Sequence, residues 1–219
     1  LLASDAIPGC AVDINLWSAF VLATSVLLVI PGPTVLTVIS YSLANGRSAH
    51  FPLVAAIALG DCTSLSLSLL GLGPLLSTSA FWFNVVKIMG GLYLLWLGAT
   101  LFRSGISTIA LPSTPAPTTR WRLFFNTYLV TALNPKGIVF FVAFLPQFVN
   151  PAIDVTFQLW VLAVTFVLMA MANATVYATF AATARRILSS PRTQRHFKLA
   201  GGLLLSAAGV WALLARRAT

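Results

Sequence analysis

The sequence predicts an all-α membrane protein with six transmembrane helices in two inverted three-helix repeats, helices 1 and 4 being broken at mid-membrane. Three observations support this fold class. Hydrophobic residues make up 58% of the chain and charged residues only 8%, whereas a soluble domain has roughly 25% charged residues. Six apolar stretches are long enough to cross a bilayer, which takes about 20 residues. Two of them contain proline near the middle, and proline ends or kinks a helix.

The predicted spans are separated by connectors that are rich in helix-breaking residues. The spans are 16–43, 51–73, 80–102, 123–148, 156–184 and 198–215. One connector, 103–122, is long, and its Pro, Ser and Thr content predicts an exposed linker between two halves. The predicted organisation is an N-terminal extension at 1–15 with little structure before about Asp13, a first repeat at 16–102, a cytoplasmic linker at 103–122 and a second repeat at 123–219.

Basic residues orient these spans. The connectors after spans one, three and five hold Arg47, Arg103, Arg120, Arg122, Arg185, Arg186, Arg192 and Arg195, and the alternate connectors hold no Lys or Arg. The positive-inside rule places the basic connectors in the cytoplasm and both termini outside it, although Arg216 and Arg217 at the C-terminus oppose this orientation. The formal net charge of +9 is thereby interpreted as topology and contact with lipid headgroups, so no nucleic-acid partner is predicted.

The two halves resemble each other in sequence. KIMGGLYLLWLG from Lys87 matches KLAGGLLLSAAG from Lys198 at a constant offset of 111 residues (198 − 87). In the first span of each half, IPGP at 30–33 corresponds to NPKG at 134–137. Because each half has three spans, the second half must insert upside down. This is the plan of secondary transporters whose sites lie where broken helices meet. The small-residue faces of spans three and six permit either a homodimer or packing within the chain.

The two proline breaks predict a polar pocket inside the membrane. Gly32 is placed to cap a second half-helix that begins at Pro33, so that the amides from Thr34 onward point toward the break. Asn134 and Pro135 repeat this arrangement, with Asn the better cap. Free amides at a helix start suit a carboxylate, and the carbonyls that end each first half suit an ammonium group.

Two charged residues occupy the same predicted depth, where a charge costs about 2.5–3.5 kcal/mol on insertion scales. Asp61 either binds a substrate ammonium or takes up the coupling proton. Lys136 either holds a carboxylate or pairs with Asp61, and a static salt bridge between them is the structural alternative. Asn173 and Tyr177 add uncharged polar groups, as substrate contacts or as bridges between helices. The serines at 64, 66 and 68 alternate and predict no helical face.

The sequence resembles the lysine exporter superfamily, especially the homoserine/threonine-exporter (RhtB-type) branch of bacterial amino-acid effluxers. The resemblance covers nearly the whole chain from about Asp13, and it rests on LLVIPGPTVL, AIALGD ending at Asp61, GGLYLLWLGATLFRS and TALNPKGIVFFVAFLPQFV. The motif residues of that family correspond here to Pro31, Gly32, Pro33, Asp61, Asn134, Pro135 and Lys136. The resemblance implies a six-span carrier of the bacterial inner membrane that exports amino acids in exchange for protons.

The predicted function is therefore a secondary transporter that exports an amino acid, neutral and threonine-, homoserine- or leucine-like, by proton antiport. The predicted substrate-binding residues are Pro31, Gly32, Pro33, Thr34, Asn134, Pro135, Lys136, Asn173 and Tyr177, with Asp61 for proton coupling. The alternatives are efflux of a basic amino acid or of a metal cation, and a non-transporting partner subunit.

No cofactor, metal site or enzymatic activity is predicted. His50, His196, Cys10 and Cys62 are scattered, whereas a metal site needs clustered ligands. The chain contains no HExxH, GxSxG or CxxC motif and no GxxxxGK[ST] nucleotide loop.

Overall fold

The computed structural model describes residues 12–78, 116–150 and 153–214, together with the isolated residues 88, 92, 95, 96 and 99. Within these ranges the chain is almost entirely helical and has no strand, in agreement with the predicted all-α class. Residues 1–11, the predicted third span apart from the five isolated positions, and residues 103–115 of the predicted linker lie outside the described residues. The two inverted repeats therefore stay a prediction.

The first predicted span consists of two helices, α1 (Ile14–Val29) and α2 (Pro33–Asn45). The side chain of Asp13 caps α1 by accepting hydrogen bonds from the N–H groups of Asn15 and Leu16. At 1.5 Å per residue, α1 is about 24 Å long and α2 about 20 Å, which is less than the roughly 30 Å of a hydrocarbon core. Neither helix is long enough to cross a bilayer alone, and the break between them falls where the sequence predicts it.

A tight turn joins α2 to α3. The turn, Gly46–Ala49, is a 3₁₀ helix, and Gly46 enters it with a φ of 61°, a left-handed conformation that favours glycine. Helix α3 covers His50–Thr78, several residues beyond the predicted end of the second span. Its N-terminal half contains Gly60 and the buried Asp61.

The second broken crossing begins with α4 (Arg120–Ala132), capped by Thr119. Arg120 and Arg122, which the sequence assigned to the linker, belong to the first turn of this helix. Helix α5 (Pro135–Val139) follows and continues as a π-helical turn, Phe140–Phe144, and a 3₁₀ turn, Leu145–Phe148. The rings of this segment pack on Phe20 of α1 and on Phe166, with centroid separations of 4.7–6.1 Å.

The fifth span is predicted to cover 156–184, but its helix ends earlier in the structure. Helix α6 covers Val155–Thr179 and ends where Phe180 leaves the helical conformation, and α7 (Ala181–Ser189) then starts as a separate helix. The reason lies in packing, because Ala181 and Leu188 turn the apolar face of α7 onto Val35 and Ile39 of α2. Helix α8 covers Pro191–Leu214 and so begins seven residues before the predicted sixth span.

Three continuous helical stretches of the described residues are long and apolar enough to cross a membrane, namely 33–70, 120–148 and 155–179, and α1 is apolar but shorter. Large hydrophobic side chains on their outer surfaces are strongly exposed, including Leu22, Leu70 and Trp160, each more than 60% exposed. Such outward-facing side chains match a lipid environment, in which apolar surface is not penalised.

One close helix contact positions the candidate site. A Cβ atom added to Gly60 of α3 would lie 2.7 Å from Cβ of Thr131 and 3.1 Å from the carbonyl oxygen of Tyr128 on α4. Only glycine allows this approach of two helix backbones, as small residues do at membrane helix interfaces. The next residue is Asp61, so the contact fixes the position of that carboxyl group against the second broken crossing.

Candidate functional site

The carbonyl end of α1 is fully bonded by side chains from the other half of the chain. The last four carbonyl groups of a helix have no partner within the helix, and here they belong to residues 27–30. Lys136 Nζ donates to the carbonyl oxygens of Leu27 and Ile30, the latter at 2.7 Å. Asn173 Nδ2 donates to Leu28 O at 3.2 Å, and the Tyr177 hydroxyl donates to Val29 O at 2.9 Å. Three side chains thereby satisfy four carbonyls at the first break.

The amide end of the same break is bare. Gly32 is the N-cap of α2 and Pro33 its first helical residue, as the sequence predicts, and glycine has no side chain to bond the first amides. Because Pro33 has no N–H group, the free donors at this end are the amides of Thr34 and Val35. They combine with the positive end of the helix dipole and suit an anionic group.

The second break has the opposite arrangement at its amide end. The side chain of Asn134 accepts a hydrogen bond from the Lys136 N–H at 3.1 Å and so caps α5 itself. The same amide donates from Nδ2 to Oγ1 of Thr34 at 3.1 Å. Asn134 thus joins the start of α5 to the start of α2, and the two breaks meet in space.

Lys136 lies between the two breaks. The side chain of Lys136 passes close to Gly32. A Cβ atom added to Gly32 would lie 3.6 Å from Cδ and 3.9 Å from Nζ of the lysine. An ammonium group has three N–H donors, and two of them are used by the carbonyls of α1. The remaining donor and the positive charge are available beside the bare amides of α2.

Asp61 faces the same space without a bonding partner. The residue is only 8% exposed, and within the described part of the chain its carboxyl group makes no hydrogen bond and no ion pair. The alternative in which Lys136 pairs with Asp61 is therefore not what the structure contains, because the lysine binds the α1 carbonyls instead. A buried carboxyl group without a partner is costly, and it is suited to a cationic ligand or a proton.

These groups line one cavity, which is partly open to the outside. Seven of the ten residues proposed from sequence line it, namely Gly32, Thr34, Asp61, Asn134, Lys136, Asn173 and Tyr177. Pro31, Pro33 and Pro135 do not; Pro33 and Pro135 are instead the first residues of α2 and α5. The prolines therefore form the breaks, and other side chains line the space.

Sequence reasoning missed most of the cavity wall. Its apolar lining residues include Val38, Ile57, Phe166, Ala170 and Ala174. On α6 the positions 166, 170, 173, 174 and 177 follow a three-to-four-residue period, which is the signal of one helix face. That signal is weak in the sequence because apolar residues also cover the other faces of α6.

The structure is thus that of a helical membrane protein with two broken helices that meet at a cavity holding one acidic and one basic side chain. The chain belongs to the LysE family: residues 25–216 match the family model described as LysE type translocator.

Several curated relatives cover most or part of the chain. It is 31% identical to the homoserine/homoserine lactone efflux protein of Salmonella typhimurium, over 92% of this chain and 98% of that protein. It is 30% identical to an uncharacterized membrane protein of Vibrio cholerae, over 88% and 94% of the two chains. The leucine efflux protein of Salmonella choleraesuis is 29% identical over 63% of this chain and 64% of its own length. No solved structure matches the chain.

Proposed function

We propose that the protein is a secondary transporter that exports an amino acid across the bacterial inner membrane in exchange for protons. The observation that supports this most directly is the combination, in one cavity, of an unpartnered carboxyl group, an ammonium group and free helix amides. An amino acid carries one group of each charge, and the family membership and the names of the relatives agree with such a cargo.

The substrate carboxylate is proposed to bind the bare end of α2. There it accepts hydrogen bonds from the Thr34 and Val35 amides and lies beside the third N–H of Lys136. The substrate ammonium binds Asp61 rather than the carbonyl end of α1, because Lys136, Asn173 and Tyr177 already bond those carbonyls. Asn134, Asn173 and Tyr177 hold the two breaks in place in this scheme, and Pro31, Pro33 and Pro135 shape the backbone.

The proposed coupling of proton and substrate transport depends on Asp61 binding either a proton or the substrate ammonium. The ionised carboxylate attracts an ammonium group, whereas the protonated carboxyl does not, so proton and substrate occupy the carboxyl in turn. A carrier that changes its access only when the carboxyl is occupied then exchanges one for the other. We further propose that the basic connectors lie in the cytoplasm and that both termini are extracytoplasmic.

The test is amino-acid counterflow in proteoliposomes, with and without a pH gradient, for wild type, Asp61→Asn and the control Cys62→Ala. Cys62 is the adjacent residue on α3 but is exposed. Wild type and Cys62→Ala are expected to exchange a labelled amino acid at a rate that responds to the gradient, and Asp61→Asn is expected to exchange far less of it and to show no response to the gradient. A wild type that exchanges no amino acid contradicts the proposal, and a mutant with a normal response contradicts the role of Asp61.

A further inference from the structure

The cavity has an apolar wall that is distinct from its charged groups. This wall consists of five residues of one hydrophobic cluster, namely Val38, Ile57, Phe166, Ala170 and Ala174. Each of these five is no more than 4% exposed. The two alanines lie one turn apart on α6, and they are the smallest side chains of this wall. They leave room where a larger residue would fill the space.

The polar side chains of the cavity bond the ends of the broken helices. Asn173 and Tyr177 donate to carbonyls of α1, and Asn134 bonds Thr34 and its own helix. Asp61 and the amides of α2 are needed for the two charged groups that every amino acid carries. Among the described lining residues, the apolar wall offers a substrate side chain no hydrogen-bond donor or acceptor and no countercharge.

We propose that the transported amino acid has a neutral aliphatic side chain of the leucine class, and that Ala170 and Ala174 determine how large it can be. This inference rests on the proposed function and narrows its substrate. A hydroxyl group on the side chain would lose its water against this wall without gaining a partner. A basic side chain would find no second acidic residue beside Asp61 among the described residues that line the cavity. A lactone has no free carboxylate, so the bare amides of α2 would face no anion.

This substrate differs from the one in the name of the efflux protein of Salmonella typhimurium, which names homoserine and homoserine lactone. It agrees with the name of the leucine efflux relatives, which match over less of the chain. The cavity wall, rather than the length of the match, carries the inference, because a substrate side chain is recognised by the few residues that it touches.

The experiment measures counterflow of labelled alanine and leucine, with homoserine, homoserine lactone and lysine as unlabelled competitors. Wild type is expected to prefer leucine to homoserine by roughly tenfold or more, the scale on which apolar pockets discriminate. Ala170→Val and Ala174→Val are expected to lower leucine exchange relative to alanine exchange by roughly tenfold. The matched control is Ala163→Val on the same helix, at a buried position that does not line the cavity, and its leucine-to-alanine ratio should equal that of wild type.

Alanine exchange reports whether each variant is folded. If both valine variants lose it, Ala170→Gly provides the converse test, because a larger cavity should raise exchange of phenylalanine relative to leucine. A wild type that prefers homoserine, its lactone or lysine overturns the inference while leaving the proposed transport activity intact. The same holds if the ratios of the valine variants match that of Ala163→Val. A wild type that exchanges no amino acid overturns the transport activity itself, and the inference with it.

Discussion

The two broken helices have similar motifs but different ends. At the first break the amide end of α2 is bare, because its cap is Gly32, and the carbonyl end of α1 is bonded by three side chains. At the second break Asn134 caps α5, and the end of α4 closes on itself through backbone bonds from Leu133 and Asn134. At the first break the amides of Thr34 and Val35 are thus free for an anion, whereas at the second break the Lys136 amide is already bonded by Asn134.

This difference divides the work between the two halves of the chain. The second break places Lys136 and Asn134 beside the first. There Lys136 bonds two carbonyls of α1 and Asn134 bonds Thr34 of α2. The amides of Thr34 and Val35 are free at the first break, and under the proposed function they orient the carboxylate of a bound zwitterion toward α2. Four sets of variants test this asymmetry.

Lys136→Met removes the group that completes the first break. The carbonyls of Leu27 and Ile30 lose their donor, and each buried unsatisfied group costs about 1–3 kcal/mol. Exchange in proteoliposomes should be lost, and the unfolding temperature in detergent should fall. Lys136→Arg keeps charge and donors and should retain part of the stability. An unchanged unfolding temperature in Lys136→Met would show that the carbonyls do not depend on the lysine.

Gly32→Ser makes the first break resemble the second. A serine at the N-cap bonds the amides of α2 with its own oxygen, which changes helix stability by only a few tenths of a kcal/mol, but it removes the donors proposed for the substrate carboxylate. Exchange should fall roughly tenfold, the equivalent of one hydrogen bond of about 1.4 kcal/mol.

The matched control for this variant is Gly32→Ala. Its Cβ would make only ordinary contacts, at 3.6 Å from Cδ and 3.9 Å from Nζ of Lys136, and alanine offers no capping oxygen. Exchange close to wild type is expected. Equal loss in the alanine and serine variants would mean that bulk at this position, rather than the cap, impairs transport.

Asn134→Ala makes the second break resemble the first. It removes the cap of α5, a loss of about 1 kcal/mol, and the donor that binds Thr34. The unfolding temperature should fall and exchange should decrease moderately. Asn134→Ser retains a capping oxygen and should recover most of the stability but not the bond to Thr34. A serine variant no more stable than the alanine variant would contradict the capping role.

Tyr177→Phe removes a single bond, to the carbonyl oxygen of Val29. The expected loss of stability is about 1 kcal/mol, with exchange reduced by less than in the variants above. Tyr41→Phe is the control, since that hydroxyl accepts a hydrogen bond from Asn126 and does not line the cavity. An effect on exchange that is the same for both tyrosines would argue against a specific role at the break.

Much of the candidate site could be predicted because proline and glycine act locally. Pro33 and Pro135 fix where the breaks fall, and the cap roles of Gly32 and Asn134 follow from their neighbours in sequence. The hydrogen-bond partners of Lys136 could not be predicted. A long side chain at a break can reach several groups, and only the tertiary structure decides which of them lie close. The sequence suggested a carboxylate or Asp61, and the structure places Nζ on two carbonyls.

The serines of α3 show a second limit. Positions 64, 66 and 68 alternate in sequence, and the alternation obscured the helix face. In the structure Ser64 and Ser68 are buried at 2% and 7% exposure, four residues apart, whereas Ser66 is exposed. Likewise the end of α6 at Thr179 depends on the packing of α7 against α2, which no local pattern encodes.

Among the described residues that line the cavity there is one carboxyl group and one lysine, and under the proposed proton exchange this has a consequence for energetics. A neutral amino acid is a zwitterion and carries no net charge through the membrane, so the exchange of one such molecule for one proton moves one positive charge inward. The membrane potential then acts on every cycle, contributing about 2.3 kcal/mol per 100 mV. Export by this exchange would therefore continue when the pH gradient is zero, and it would stop only when the voltage is also removed.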